Sequence, residues 1–372
     1  MTERPLHGGD PSVLRRLNSV ATLRALRGGG EPTLTELANE VGLSRPTTEG
    51  VLAELAGRGL VAEVAPQPGR RLGRPARRYR FRAEAGYALG IEIDARRTVV
   101  LLADLDGRVV GDPHHAELDV DGSARDRLAA VRAAVKSHLA TAGVTRAELR
   151  AVAAGTPGVI DPAGKVAFCT VVPGWQGFDL ARELGRSFSC PVLVENDANL
   201  AAVAERWRGV ARDVDDIVYV LAGLHTGAGA IIGGRLHRGR WGAAGEVGTL
   251  PELGLRDTTA ELAGGETEPA AVLAAARAGD AAARERVDRV AARMARGIAA
   301  MVLAFDPEMV VVGGPLTQDP LVAELRRHVL PLCLSPTRVE ASTLAGESVG
   351  LGAVRVALDR IEAELFRVDA AR

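Results

Sequence analysis

A strand, a tight turn, a second strand and a second turn occur near residues 88–110, and the same succession returns near 217–238. In the first copy Leu89-Gly90-Ile91-Glu92-Ile93 and Val99-Val100-Leu101-Leu102-Ala103 are the strands, and Gly107 turns the chain into Val109-Val110. In the second, Ile217-Val218-Tyr219-Val220-Leu221 and Ala230-Ile231-Ile232 are the strands, with Gly223, Gly227 and Gly229 in the turn and Gly233-Gly234 after it. Short β-branched runs bounded by glycine read as strands. A helix over 123–142, with Leu128, Val131, Val135 and Leu139 on one face, fits between them. Further strands are expected at Ala151–Ala154, Pro191–Val194 and Met309–Val312, and a last helix opens at Gly350-Leu351-Gly352-Ala353. An approximate duplication of this kind predicts two similar α/β lobes with a cleft between them. A chain of 372 residues is too long for one ordinary core and suits two or three domains.

Composition narrows the class. Hydrophobic residues at 47% and charged residues at 25% exclude a disordered or collagen-like chain. No apolar run approaches the length of a membrane span, and the opening residues lack a basic-then-apolar signal, so a cytoplasmic, nucleoid-associated protein is expected. Cys169, Cys190 and Cys333 are odd in number and far apart, which predicts neither a disulfide framework nor a metal knuckle.

Charge is unevenly placed. Lys136 and Lys165 are the only lysines, so arginine is abundant everywhere and only its distribution carries information. The net charge is -1, yet residues 1–83 hold 14 arginines against 8 acidic residues, a net of +6 that leaves -7 for the rest. The stretch 70–82 contains seven arginines and no acid. A basic segment on an acidic body suggests a surface that faces nucleic acid; a solvated arginine-rich linker is the competing reading.

Patterning in that segment favours the first. Val13, Leu17, Val20 and Leu26 recur at near-helical spacing, and Gly28-Gly29-Gly30 ends the helix. Thr33 and Glu36 form a capping box ahead of a second helix through Leu37, Ala38 and Val41, which stops at Gly42. Ser44 caps a third helix, with Pro46 in its first turn and Val51, Leu52 and Leu55 on its apolar face. Leu60-Val61 and Tyr79-Arg80-Phe81 read as strands around a Pro/Gly/Arg loop. This is the order of a winged helix-turn-helix, whose third helix enters the major groove by its N-terminal end. Arg45, Thr47 and Thr48 are then the expected base and phosphate contacts, and Arg70, Arg71, Arg74 and Arg77 the contacts of the wing. A three-helix packing or dimerisation module is the alternative.

The whole chain resembles the ROK family (repressors, open reading frames and sugar kinases). The matching pieces are the helix-turn-helix followed by GRPARRYRF, then GTPGVID at 155–161, ENDAN at 195–199, GRLHRGRWGAAGEVG at 234–248 and DPEMVVVGG at 306–314. The resemblance implies a two-lobed actin/hexokinase-like ATPase fold behind a winged helix-turn-helix. It implies domains at 1–83, at 84–198 plus 351–372 for one lobe, and at 199–350 for the other. Asp197 matches the family's catalytic base, which takes a proton from a sugar hydroxyl; Asn196, Glu246 and Gly158 match further sugar-binding positions. Without the resemblance, Asn196 and Asp197 read equally as the cap of a helix starting near Ala198.

Departures from the family pattern decide what to expect of the chemistry. The kinases' Asp-x-Gly-Gly-Thr turn is here Glu92-Ile93-Asp94-Ala95-Arg96, which sets a carboxylate where phosphates would lie. The second phosphate loop reads Gly223-Leu224-His225-Thr226-Gly227. Thr249 stands where the family's zinc histidine would be, and the cysteine-rich loop is missing, so no metal is expected; Asp257 is a candidate replacement for a lost glutamate ligand. His225, His237 and the pair His114-His115 lack ligand spacing. The expectation is a DNA-binding repressor without a cofactor or enzymatic activity, acting as a homodimer or dimer of dimers on double-stranded operator DNA. Its body senses a sugar or sugar derivative. The alternatives are an ATP-dependent sugar kinase with a DNA-binding appendage, and a regulator answering to a protein or non-sugar ligand.

Overall fold

The computed structural model describes residues 11–64, 76–223, 226–256, 258–263, 268–317 and 319–367. The chain divides into two compact units: Met1–Ala88 with Ala103–Val110 and Leu358–Arg372, and Leu89–Leu102 with Gly111–Ala357.

The first unit opens with α1 (Pro11–Leu26), α2 (Leu34–Val41) and α3 (Arg45–Gly57), followed by the antiparallel strands β1 (Val61–Val64) and β2 (Arg78–Phe81). The local chemistry sets each boundary. Thr33 accepts the Glu36 N–H while the Glu36 carboxylate takes the Thr33 N–H, which closes the capping box at α2. Gly42 ends α2 at φ 68°, a left-handed conformation that favours glycine. The Ser44 hydroxyl caps α3 through the Thr47 N–H. Val13 and Leu26 of α1 are buried as their spacing predicts, and Ser19, Thr22 and Leu23 complete the buried stripe, whereas Leu17 is half exposed. Small hydroxyl residues let α1 approach its neighbours closely, and the Ser19 hydroxyl satisfies itself on the Arg15 carbonyl.

The second unit contains most of β3 (Tyr87–Ile93) and β4 (Arg97–Asp104), then β5 (His114–Glu117), α4 (Ala124–Ala142), β6 (Leu149–Thr156), β7 (Val159–Ile160), β8 (Val166–Phe168), α5 (Leu180–Gly185), β9 (Val192–Asn196) and α6 (Asp197–Arg208). It continues with β10 (Ile217–Leu221), β11 (Gly227–Ile232), β12 (Arg235–Leu236), α7 (Thr258–Ala263), α8 (Pro269–Ala278), α9 (Ala281–Phe305), β13 (Met309–Gly313), α10 (Asp319–Val329), β14 (Arg338–Ala341) and the first part of α11 (Ser348–Leu365). Two five-stranded sheets result, ordered β5-β4-β3-β6-β9 and β12-β11-β10-β13-β14. The order is the same in both: three strands in sequence, then two that join on the far side. This is the duplication read from the two strand–turn–strand segments. The later pairs β6/β9, β10/β13 and β13/β14 are parallel. Thr98–Ala103 of β4 and all of β13 are buried on both faces, as their unbroken apolar runs require. The 25-residue α9 buries Val287, Val290, Ala291, Met294, Ile298 and Met301 against Val218, Val220, Val310 and Val312 of the second sheet.

The sheets position the site through their strand ends. Gly158 follows the carboxyl end of β6, and Asn196 and Asp197 lie where β9 passes into α6. Ligands of α/β sheets bind outside these ends, because the loops and helix N-termini there present unpaired backbone groups.

Candidate functional site

A cavity of about 120 Å³ lies at these strand ends, lined among others by Gly158, Asn196, Asp197, Thr226, Glu246 and Thr249. All four residues singled out in the sequence, Gly158, Asn196, Asp197 and Glu246, face this one space. Asn196 is also the cap of α6: its Oδ1 accepts the Asn199 N–H at 3.0 Å, while its Nδ2 donates to the Gly158 carbonyl at 3.1 Å. The capping role and the cavity position are therefore held by the same side chain. Gly158 sits at φ +109°, and a Cβ there would come within 2.4 Å of the Phe168 carbonyl oxygen, so only glycine fits.

The cavity is acidic. The Asp197 carboxylate accepts the Ala198 N–H at 2.8 Å. Burial pushes its carboxyl up to about 7, and Asp94, Glu246 and Glu92 add to the rise by repulsion. Burial raises Glu246 as well. Oxygens of this kind accept from sugar hydroxyls, and the remaining Nδ2 hydrogen of Asn196 is a donor.

Other wall residues escaped the sequence reading. Phe168, Cys169, Leu255 and Arg256 line the cavity. Beneath it Trp175 is fully buried, donates from Nε1 to the Thr156 hydroxyl at 2.8 Å and stacks on Phe178 at 5.3 Å. Thr156 precedes Pro157-Gly158, so the indole supports the turn that shapes the wall. Its signal in the sequence was a rare tryptophan in Gly174-Trp175-Gln176-Gly177-Phe178.

A second cavity of about 270 Å³ shares Pro157, Val171 and Asp197 with the first and is lined by Glu92, Asp94, Arg96 and Arg97. Glu92 is buried; desolvation pushes its carboxyl up to about 7 against the opposing pull of Arg97, 3.1 Å away. Among the described residues its other oxygen has no partner. A nucleotide's phosphates would meet Glu92, Asp94 and Asp197 here with two arginines as counter-charge, one of them already paired. Leu224 and His225 of the second phosphate loop lie outside the described residues, as does Asp257. The residues present do not fit the family's zinc: Thr249 offers no imidazole, it lines the cavity instead, and no cysteine lies between Cys190 and Cys333. Among the described residues Asp288, Glu324 and His328 approach one another, but Arg327 pairs with both carboxylates.

In the first unit the N-terminal end of α3 is open. Arg45 and Thr47 are exposed, with the Thr47 hydroxyl 2.8 Å from that of Ser44. Thr48 corrects the sequence reading: it is fully buried and its hydroxyl donates to the Ser44 carbonyl at 3.0 Å, so it faces the helix interior and not a groove. Arg77 is exposed at the foot of β2 and pairs with Glu63 at 3.4 Å. Arg70, Arg71 and Arg74 lie outside the described residues.

Comparison with known proteins places these features in context. The model of the ROK family matches residues 88–253 and 250–357, and that of the IclR helix-turn-helix domain matches residues 18–65. A xylose repressor of Caldicellulosiruptor bescii is 23% identical over 390 residues, covering 94% of this chain and 97% of that protein. A crystal structure of a ROK family transcriptional regulator, a homologue of the E. coli MLC protein, superposes with a TM-score of 0.72 at 21% identity over 95% of this chain and 99% of that one. A ROK family glucokinase from Streptomyces griseus, solved with glucose and AMPPNP, superposes with a TM-score of 0.63 at 24% identity over 74% of this chain and 100% of that one.

Proposed function

The chain belongs to the ROK family, and from that premise we propose that it is a sugar-responsive DNA-binding transcriptional repressor. The observation that carries the reading is the pairing, on one chain, of an open recognition-helix end at Arg45 and Thr47 with a cavity into which Gly158, Asn196, Asp197 and Glu246 converge. Residues 1–83 bind operator DNA, with Arg45, Thr47, Arg77 and the wing arginines Arg70, Arg71 and Arg74 as contacts. The body, in lobes of residues 84–198 with 351–372 and of 199–350, binds the effector. The xylose repressor that resembles it over nearly its full length supports both halves of this reading. A homodimer on a two-fold operator supplies the fixed spacing that half-sites one helical turn apart demand.

Phosphoryl transfer is not part of the function. Asp197 alone favours a kinase, since a carboxyl near 7 suits a general base. Glu92 and Asp94 oppose it by crowding the adjoining cavity with negative charge. Selection of random duplexes on the purified protein tests the proposal: an enriched palindrome, released by a sugar such as D-xylose or D-glucose, is the expected result. No enrichment at low salt, where phosphate contacts are strongest, overturns it. ADP release with a hexose, abolished by Asp197→Asn, would instead establish a kinase.

A further inference from the structure

We infer that Arg238 is a positioning residue of the ligand cavity: its ion pair with Glu195 clasps the loop that carries Glu246 to the strand end that carries Asn196 and Asp197. The observation begins with Glu195, a buried carboxylate one residue before the helix cap. One of its oxygens accepts the Asn196 N–H and the Asn199 Nδ2, both at 2.9 Å. Its other oxygen receives Nε of Arg238 at 2.5 Å. Helix α6 does not need this second contact, because Asn196 already caps it through the Asn199 N–H. The surplus oxygen serves the loop.

Arg238 lies two residues beyond β12, a strand of two residues. Its own carbonyl accepts the Ala244 N–H at 3.3 Å and closes the segment 238–244 into a ring. The Glu246 N–H then donates to the Ala243 carbonyl at 3.3 Å. A short path therefore runs from Asn196 and Asn199 through Glu195 and Arg238 to Glu246, joining the two carboxylate-bearing walls. Besides that pair the loop is held at two glycines, Gly242 against the Ile160 carbonyl and Gly245 against the Ala228 carbonyl, while its tip is open to solvent. It contains Gly239, Gly242 and Gly245, and Arg240 and Trp241 are exposed. Segments with few buried contacts open at little cost unless a specific contact holds them. An ion pair with one partner buried is strong enough for that task, because the carboxylate has no water to fall back on.

The test is amide hydrogen exchange on the full chain, wild type against Arg238→Ala, Arg238→Lys and Glu195→Gln. The expected result for Arg238→Ala is exchange about tenfold faster over residues 239–247, with β10 and β13 unchanged. Arg238→Lys keeps the charge and should return that segment to within about threefold of wild type. Glu195→Gln should loosen the same segment, and the double variant should add nothing to either single one. Unchanged exchange over 239–247, or a loss spread evenly into β10 and β13, overturns the inference. The second readout depends on the sugar reading above: titration with D-xylose and D-glucose should show affinity reduced about tenfold in Arg238→Ala and recovered in Arg238→Lys. A wild-type chain that binds neither sugar overturns the sugar reading and leaves exchange to decide the clasp. A sugar bound equally by wild type and Arg238→Ala overturns the clasp.

Discussion

Asp197 shows how much one side chain's surroundings decide. Its carboxyl is pushed from an ordinary 3.8 up to about 7, first by burial and then by neighbouring carboxylates. Between those values the folded chain holds a proton that the unfolded chain has released, so the stability this group contributes is full below about 4 and is lost as pH rises through 7. Asp197→Asn should therefore raise the melting temperature at pH 8 by about 2–4 °C and leave it nearly unchanged at pH 4, read by differential scanning fluorimetry. Equal shifts at both pH values would contradict the raised carboxyl. Gly158 is constrained by space and not by charge. Gly158→Ala places a Cβ against the Phe168 carbonyl at a positive φ and should cost about 1–3 kcal/mol, measured by denaturant melts. Thr48 marks where a residue-level reading fails: a threonine three positions into a recognition helix has two faces to choose from, and the packing of α3 turned this one inward.

Among the elements, α3 depends most on a local cap. Ser44→Ala removes the acceptor for the Thr47 N–H and should destabilise the first turn by about 1 kcal/mol, seen as faster exchange of the α3 N-terminal amides. Arg45→Ala leaves the cap intact and should lower operator affinity and shrink its salt slope by about one, without moving the melting temperature. At the other end of α1, Arg27 gathers three pieces of the first unit. Its guanidinium donates to the Leu105 carbonyl at 2.7 Å and to Glu362 at 3.0 Å, meets Asp106 at 3.4 Å, and lies over the rings of Phe81 and Phe366. Arg27→Ala should cost on the order of 2 kcal/mol, because it removes a charged hydrogen-bond donor from two partly buried carboxylates, and should speed exchange at the C-terminal turn of α1 and over 104–107 together. If only one of those segments loosens, the side chain is not the common anchor.

At the scale of the whole molecule, two compact units carry two separate chemistries, one exposed and basic, one concave and acidic. Helix α11 and the strands β3 and β4 each have residues in both units, so the chain connects them at more than one point. If an effector sugar weakens operator binding by some factor, linkage requires the operator to weaken sugar binding by the same factor. Fluorescence titration of the sugar with and without a saturating operator duplex should return that equality. An operator that leaves sugar affinity untouched would separate the two functions.

Much of this architecture was legible in the order of residues, because the signals are local. Capping boxes, the glycine that ends α2 and the β-branched runs of β10 and β13 act within a few residues of themselves, and periodicity reports them directly. The repeated strand–turn–strand pattern likewise encodes two equivalent sheets. The wall of the cavity needed the tertiary structure. Phe168 and Arg256 converge on it from segments far apart in sequence, and no spacing rule links them. The same limit applies to the buried stripe of α1, where hydroxyl residues replaced an expected leucine, and to Thr48, whose direction was set by neighbours. What the sequence by itself determined was the set of elements and the identity of the groups near the site. Which faces are buried, which side chains meet, and how far each carboxyl is shifted were decided only by the fold, because burial and repulsion depend on distances between segments that the chain order does not contain.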